Sequence, residues 1–127
     1  MNIIEVIKYF FNSKNDNLKL ENWYFVKWDE DKIYRTVNPP FKKPWNDFLN
    51  WKDIQSISFE ANDLYESDCI YIFIKDRKES FAIPTESNGG SDLWNEIIRR
   101  KLFDAELAIE AASSTGGLYT WPPIERK

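Results

Sequence analysis

Six consecutive β-formers, Cys69-Ile70-Tyr71-Ile72-Phe73-Ile74, constrain this chain more than any other feature. A run of β-formers this long reads as a central strand. The turn Lys75-Asp76-Arg77-Lys78 and the segment Ser80-Phe81-Ala82-Ile83, stopped by Pro84, predict a returning strand. Trp51-Lys52-Asp53-Ile54-Gln55-Ser56-Ile57-Ser58-Phe59 predicts the strand before it. Ile54 and Ile57 are three apart, which leaves open a bulge or a one-turn helix at its start. Upstream, Trp23–Trp28 and Ile33–Val37 are β-rich runs joined by the acidic turn Asp29-Glu30-Asp31, a predicted hairpin. Asn38 to Pro44 holds three prolines and is expected to be an extended connection.

Helical periodicity appears at both ends. Ile3, Ile7, Phe10 and Phe11 share one helical face, so residues 2–12 are predicted to form an amphipathic helix. After Asn88-Gly89-Gly90, Ser91 is the expected N-cap of a helix carrying the stripe Leu93, Trp94, Ile97 and Ile98. Asp104 is the expected cap of a second helix, which Gly116-Gly117 ends. The tail from Leu118, with Trp121-Pro122-Pro123, is expected to be extended. The fold expected from these signals is α+β: an N-terminal helix, an antiparallel meander of about five to six strands and two C-terminal helices. All of it lies in a single domain over 1–127, since the length suits one core. The expected core is Ile3, Ile7, Phe10, Phe25, Ile57, Phe59, Ile70, Ile72, Phe81, Ile83, Leu93, Ile97 and Leu107.

The chemistry the side chains can perform is narrow. The chain has no histidine, which removes the commonest general acid/base and every nucleophile–histidine pair. Cys69 is the single cysteine; it has no basic neighbour in sequence to lower its pKa, and is expected to be a structural thiol. It can form no internal disulfide, which suits a reducing compartment, and the N-terminus lacks signal-peptide features, so a cytoplasmic location is expected. Asn88-Gly89-Gly90-Ser91 matches neither a P-loop nor a dinucleotide fingerprint. No cofactor, metal or enzymatic activity is expected.

Charge is unevenly distributed. The net charge is -4; residues 53–74 hold five acidic and no basic side chains, whereas residues 1–52 hold nine basic and seven acidic. An acidic surface repels phosphates, which argues against nucleic acid as a partner even though six tryptophans invite a stacking platform. No stretch approaches the length of a membrane span. Glu60, Asp63, Glu66 and Asp68 do not follow the calcium-loop spacing, so an acidic protein-binding loop is the expectation. Asp29, Glu30 and Asp31 form a second acidic candidate. Trp45 and Trp51 are candidate aromatic anchors for a protein partner.

The pattern Trp51-x-Asp53-Ile54-x-x-Ile57-x-Phe59, with Asn62-Asp63, Asp68, Ile83-Pro84-x-Glu86, Gly89-Gly90, Leu93, Phe103-Asp104, Ala112-Ser113-Ser114-Thr115 and Trp121, resembles a set of small uncharacterised bacterial proteins. In size, acidity and lack of catalytic motif the chain also looks like the immunity proteins of bacterial polymorphic-toxin and contact-dependent growth-inhibition systems. That resemblance implies a cytoplasmic inhibitor that binds a cognate toxin domain, one whose own surface is basic, through its acidic loop. The alternative is a pleckstrin-homology-like adaptor for a peptide or lipid headgroup, for which Lys75, Arg77 and Lys78 are the candidate cations.

Overall fold

The central strand predicted from residues 69–74 is β5 (Cys69–Ile74) of a four-stranded sheet. Its Ile70 and Ile72 side chains are fully buried on one face. Around it lie β4 (Ile54–Ala61), β6 (Phe81–Pro84) and β7 (Gly117–Trp121), in the order β6-β5-β4-β7 and antiparallel throughout. Register aligns Phe81, Ile72, Ile57 and Trp121 in one row and Ile83, Ile70, Phe59 and Tyr119 in the next. These rows make the inner face, because alternate residues of a strand point the same way. The computed structural model describes residues 19–62 and 67–123.

Two helices follow β6. In α1 (Gly90–Arg99), Leu93 and Ile97 are fully buried, and Trp94 stacks on Phe59 at 4.5 Å and meets Phe103 edge-on at 4.8 Å. Gly89, rather than the predicted Ser91, precedes the helix at φ 91°, and a Cβ there would lie 2.2 Å from the Val26 carbonyl oxygen. Only glycine fits both the backbone and the contact. Ser91 instead donates its hydroxyl to the Thr85 carbonyl. In α2 (Ala105–Ala112), the Asp104 carboxylate accepts from the Leu107 N–H at 3.0 Å, as an N-cap should.

The three remaining strands form a second sheet: β1 (Tyr24–Trp28), β2 (Lys32–Val37) and β3 (Trp45–Asn50), in that order and antiparallel. Val26, Ile33, Val37 and Leu49 from its inner face join the same hydrophobic cluster as the four-stranded sheet. One turn of 3-10 helix, Trp51–Asp53, carries the chain into β4, and a register shift follows between Ile54 and Ser56. Both irregularities anticipated at this point occur.

The fold differs from the expected single meander closed by C-terminal helices. The described residues are mostly antiparallel sheet, with seven strands in two sheets. Residues 45–50 form β3 because Asp47, polar in the sequence, points inward to a charged partner. The helices do not end the fold, since the tail returns as β7 against β4, its Thr120 hydroxyl 2.7 Å from that of Ser58. Phe25 is exposed rather than core, because Tyr24 and Val26 take the inward positions of β1. The helix expected over 2–12, with the core residues Ile3, Ile7 and Phe10, lies outside the described residues.

A largely buried arginine of the three-stranded sheet, paired with Asp47, joins the two sheets. The Arg35 guanidinium binds Asp47 side-on through two N–H groups, Nε to Oδ1 at 2.8 Å and Nη2 to Oδ2 at 2.5 Å, between the rings of Trp45 and Phe81. Its Nη1 and the Tyr24 hydroxyl both donate to the Ala82 carbonyl on the edge of β6. Burial foremost pushes the Tyr24 hydroxyl up to about 12, with Arg35 pulling the other way. Tyr24 therefore stays a neutral donor.

Candidate functional site

The acidic residues singled out in the sequence divide into those held inside the fold and those left outside it. The Asp29 carboxylate accepts from the N–H groups of Lys32 and Asp31, each at 2.8 Å, and from the Tyr34 hydroxyl at 2.9 Å. The Lys32 and Asp31 amides, then the tyrosine, hold its carboxyl below the usual range. Asp29 thus shapes the hairpin turn, while Glu30 and Asp31 are exposed at its tip.

Trp51, a predicted anchor, is structural. It is only 7% exposed, donates its indole N–H to the Asp29 carbonyl at 3.0 Å, and lies under the Arg100 guanidinium at 3.9 Å. Arg100 reaches the Asp29 carbonyl at 3.2 Å and the Glu96 carboxylate at 2.7 Å, tying the hairpin tip to the end of α1.

Glu60 and Asp68 clasp the connection between β4 and β5. The Asn62 N–H donates to Asp68 at 2.8 Å, its side-chain amide reaches Glu60 at 3.3 Å, and the Tyr71 hydroxyl donates to Glu60 at 3.2 Å. Glu60, Ala61 and Asn62 face Thr115 to Leu118 across an open cleft of about 390 Å³. Asp63 and Glu66 lie outside the described residues. Among the described residues, no cluster of acidic or cysteine side chains is placed to hold a metal ion. Burial foremost raises the Cys69 thiol to about 11, the wrong direction for a nucleophile.

Two of the three cations considered for a headgroup are engaged within the fold. Lys75 pairs with Asp53 at 3.3 Å, and Arg77 lies over the Phe81 ring at 3.8 Å. Of the two tryptophan anchors only Trp45 is available, 40% exposed and set edge-on to Tyr24 with Arg35 behind it.

The outer face of the three-stranded sheet was not anticipated. Register aligns Lys27, Tyr34 and Phe48 across its three strands, with Phe25 in the adjacent row and Lys32 on the other side. Phe48 is 53% exposed and its ring lies 6.3 Å from that of Tyr34. The Lys32 ammonium stands 4.6 Å from the Phe48 centroid and that of Lys27 5.9 Å from Tyr34. Asp29 fixes the Tyr34 hydroxyl, so the aromatic pair is held before any partner arrives. Part of the signal was present in the sequence as alternation: in β2, Lys32 and Tyr34 occupy positions out of phase with Ile33 and Val37.

This geometry suits recognition. Rigid, half-exposed aromatic rings backed by a sheet supply contact area at little entropic cost, and Tyr and Trp are common energetic centres of interfaces. The chain matches no family model, no curated protein and no solved structure. Among the described residues, no helix is long and apolar enough to cross a membrane.

Proposed function

We propose that this chain is an immunity-type protein, which binds a cognate bacterial toxin domain in the cytoplasm and neutralises it without catalysis of its own. The observation that carries this reading is the open sheet face of Phe25, Tyr34 and Phe48, braced by Asp29 and flanked by Lys27 and Lys32. An apolar patch with a charged rim is the usual construction of a protein-binding surface. Glu30 and Asp31 stand exposed at one end of this face, where carboxylates attract a toxin surface that is basic for its own work on nucleic acid. Glu60 and Asp68 take a smaller part than their charge suggests, because their oxygens are already hydrogen-bonded within the fold.

The test takes as its candidate any toxin domain encoded beside this gene. The purified chain is expected to bind that domain and to protect cells producing it. Phe48→Ala and Tyr34→Ala are each expected to weaken binding by about 30-fold or more, the effect of removing an interface hot spot of roughly 2 kcal/mol. Full protection by the double variant moves the site off this face. A chain that neither binds nor protects against any adjacent toxin domain ends the immunity reading.

A further inference from the structure

The turn between β1 and β2 is poorly suited to hold its own shape. Asp29-Glu30-Asp31 contains no glycine, asparagine or proline, and it sets three carboxylates side by side, whose repulsion works against a tight turn. Its peptide carbonyls are nevertheless all occupied. Trp51 takes two of them: its indole N–H donates to the Asp29 carbonyl and its backbone N–H to the Asp31 carbonyl, each at 3.0 Å. Arg100, the residue after α1, takes the third, its Nη1 donating to the Glu30 carbonyl at 3.5 Å while Nη2 shares the Asp29 carbonyl at 3.2 Å.

The third nitrogen of the same guanidinium, Nε, donates to Glu96 at 2.7 Å, and its carbon lies 3.9 Å from the centre of the Trp51 ring. One planar group therefore clamps the turn, the tryptophan behind it and the end of α1 together, which a lysine cannot copy. The clamp reaches the open sheet face through Asp29. That carboxylate accepts from the Asp31 and Lys32 N–H groups and from the Tyr34 hydroxyl, and the Tyr34 ring lies against Phe48.

We infer that Arg100 is a positioning residue for the Tyr34 and Phe48 face: it acts through the hairpin tip, holding Asp29 where Asp29 braces Tyr34. The inference rests on the reading of that face as the binding surface. Exposed turns open locally at little cost, so a tip that loses this clamp spends much of its time open. The face is then assembled only part of the time, and its apparent affinity falls by that fraction.

Hydrogen exchange of the full chain, with no partner present, measures the hold. In Arg100→Ala the Asp31 and Lys32 amides and the Trp51 indole N–H are expected to exchange about 10-fold faster or more, the effect of losing hydrogen bonds from a charged donor. The amides of β5 are expected to keep their wild-type rates, and the ring-to-ring NOE between Tyr34 and Phe48 to weaken. Arg100→Lys keeps the charge and is expected to loosen the tip nearly as much. Glu96→Gln, which leaves the contacts of the tip in place, is expected to loosen it less and serves if Arg100→Ala does not fold. Against a toxin domain encoded beside this gene, Arg100→Ala is expected to bind about 10-fold more weakly, as for a tip closed about a tenth of the time. A purely structural role lowers the melting temperature and leaves the affinity of the folded protein unchanged. Wild-type exchange at Asp31 and Lys32 in folded Arg100→Ala overturns the inference, and so does wild-type affinity in a variant whose tip has loosened. If the wild type binds no adjacent toxin domain, the toxin reading falls by itself, while the exchange rates and the NOE still confirm or overturn the hold of Arg100 on the face.

Discussion

The four-stranded and three-stranded sheets solve the same problem with different materials. The inner face of the four-stranded sheet is aliphatic and aromatic, with Ile57, Ile70, Ile72, Phe81 and Ile83 at 2% exposure or less. The three-stranded sheet turns a charged pair inward, Arg35 with Asp47, and leaves aromatic rings outward. A purely apolar layer is stable but indifferent to what lies beside it. A bidentate guanidinium is not indifferent, because its remaining donor must find an acceptor, and here it finds the Ala82 carbonyl. The lesson is a division of labour: one sheet supplies most of the apolar burial, the other fixes how the sheets meet and keeps a face free.

The strongest test of this division is Ile72→Ala. Ile72 has no exposure and sits between Phe81 and Ile57, so the truncation leaves a cavity that rigid neighbours cannot fill. A loss of about 2–5 kcal/mol is expected from the denaturant midpoint. A smaller loss blurs the contrast, since it means the four-stranded core relaxes easily.

Asp47→Asn follows. It leaves Arg35 charged and largely buried, but solvent reaches Asp47, whose side chain is 30% exposed, so the expected cost is about 1–3 kcal/mol rather than that of a fully buried pair. The double change Arg35→Met with Asp47→Leu is expected to recover part of that stability while broadening the amide signals of Tyr24 and Ala82 in NMR spectra. If the double variant keeps those signals sharp, the ion pair does not set the sheet junction.

The smallest effect is a pH dependence at the link between α1 and the hairpin tip. Hydrogen bonds from Arg99, then Arg100, hold the Glu96 carboxyl down from 4.5 to about 2. A carboxyl depressed in the folded state contributes stability above its unfolded value, and that contribution is lost as pH falls from 4.5 toward about 2. Over that window the Trp51 indole N–H resonance is expected to shift, because Arg100 lies on Trp51 and is held by Glu96. In Glu96→Gln the shift is expected to vanish; its persistence assigns the titration to Asp29 instead.

Much of the four-stranded sheet was legible because its information is local. Cys69–Ile74, Pro84 and the Asp104 cap each declare themselves within a few residues. The three-stranded sheet was harder to read. Trp23-Tyr24-Phe25-Val26 is apolar at every position, so alternation cannot say which side chains are inward, and Phe25 was expected in the core. The acidic turn was recognised as a candidate, but the sequence does not show that Asp29 braces Tyr34.

The sequence by itself determined the turns of the two predicted hairpins, the stop at Pro84 and the Asp104 cap of α2, since proline geometry, turn residues and a capping carboxylate need no distant neighbour. Only the tertiary structure decided that residues 45–50 form a strand and that the tail returns to β4. It also decided which carboxylates are occupied and which aromatic face stays open. Each of those depends on a partner in another strand or across a turn: Arg35 for Asp47, Ser58 for Thr120, Asn62 for Asp68 and Tyr34 for Phe48. A charged residue at an inward position reads as a loop until its counter-charge is placed beside it, because burial of one without the other costs more than the strand pairing returns.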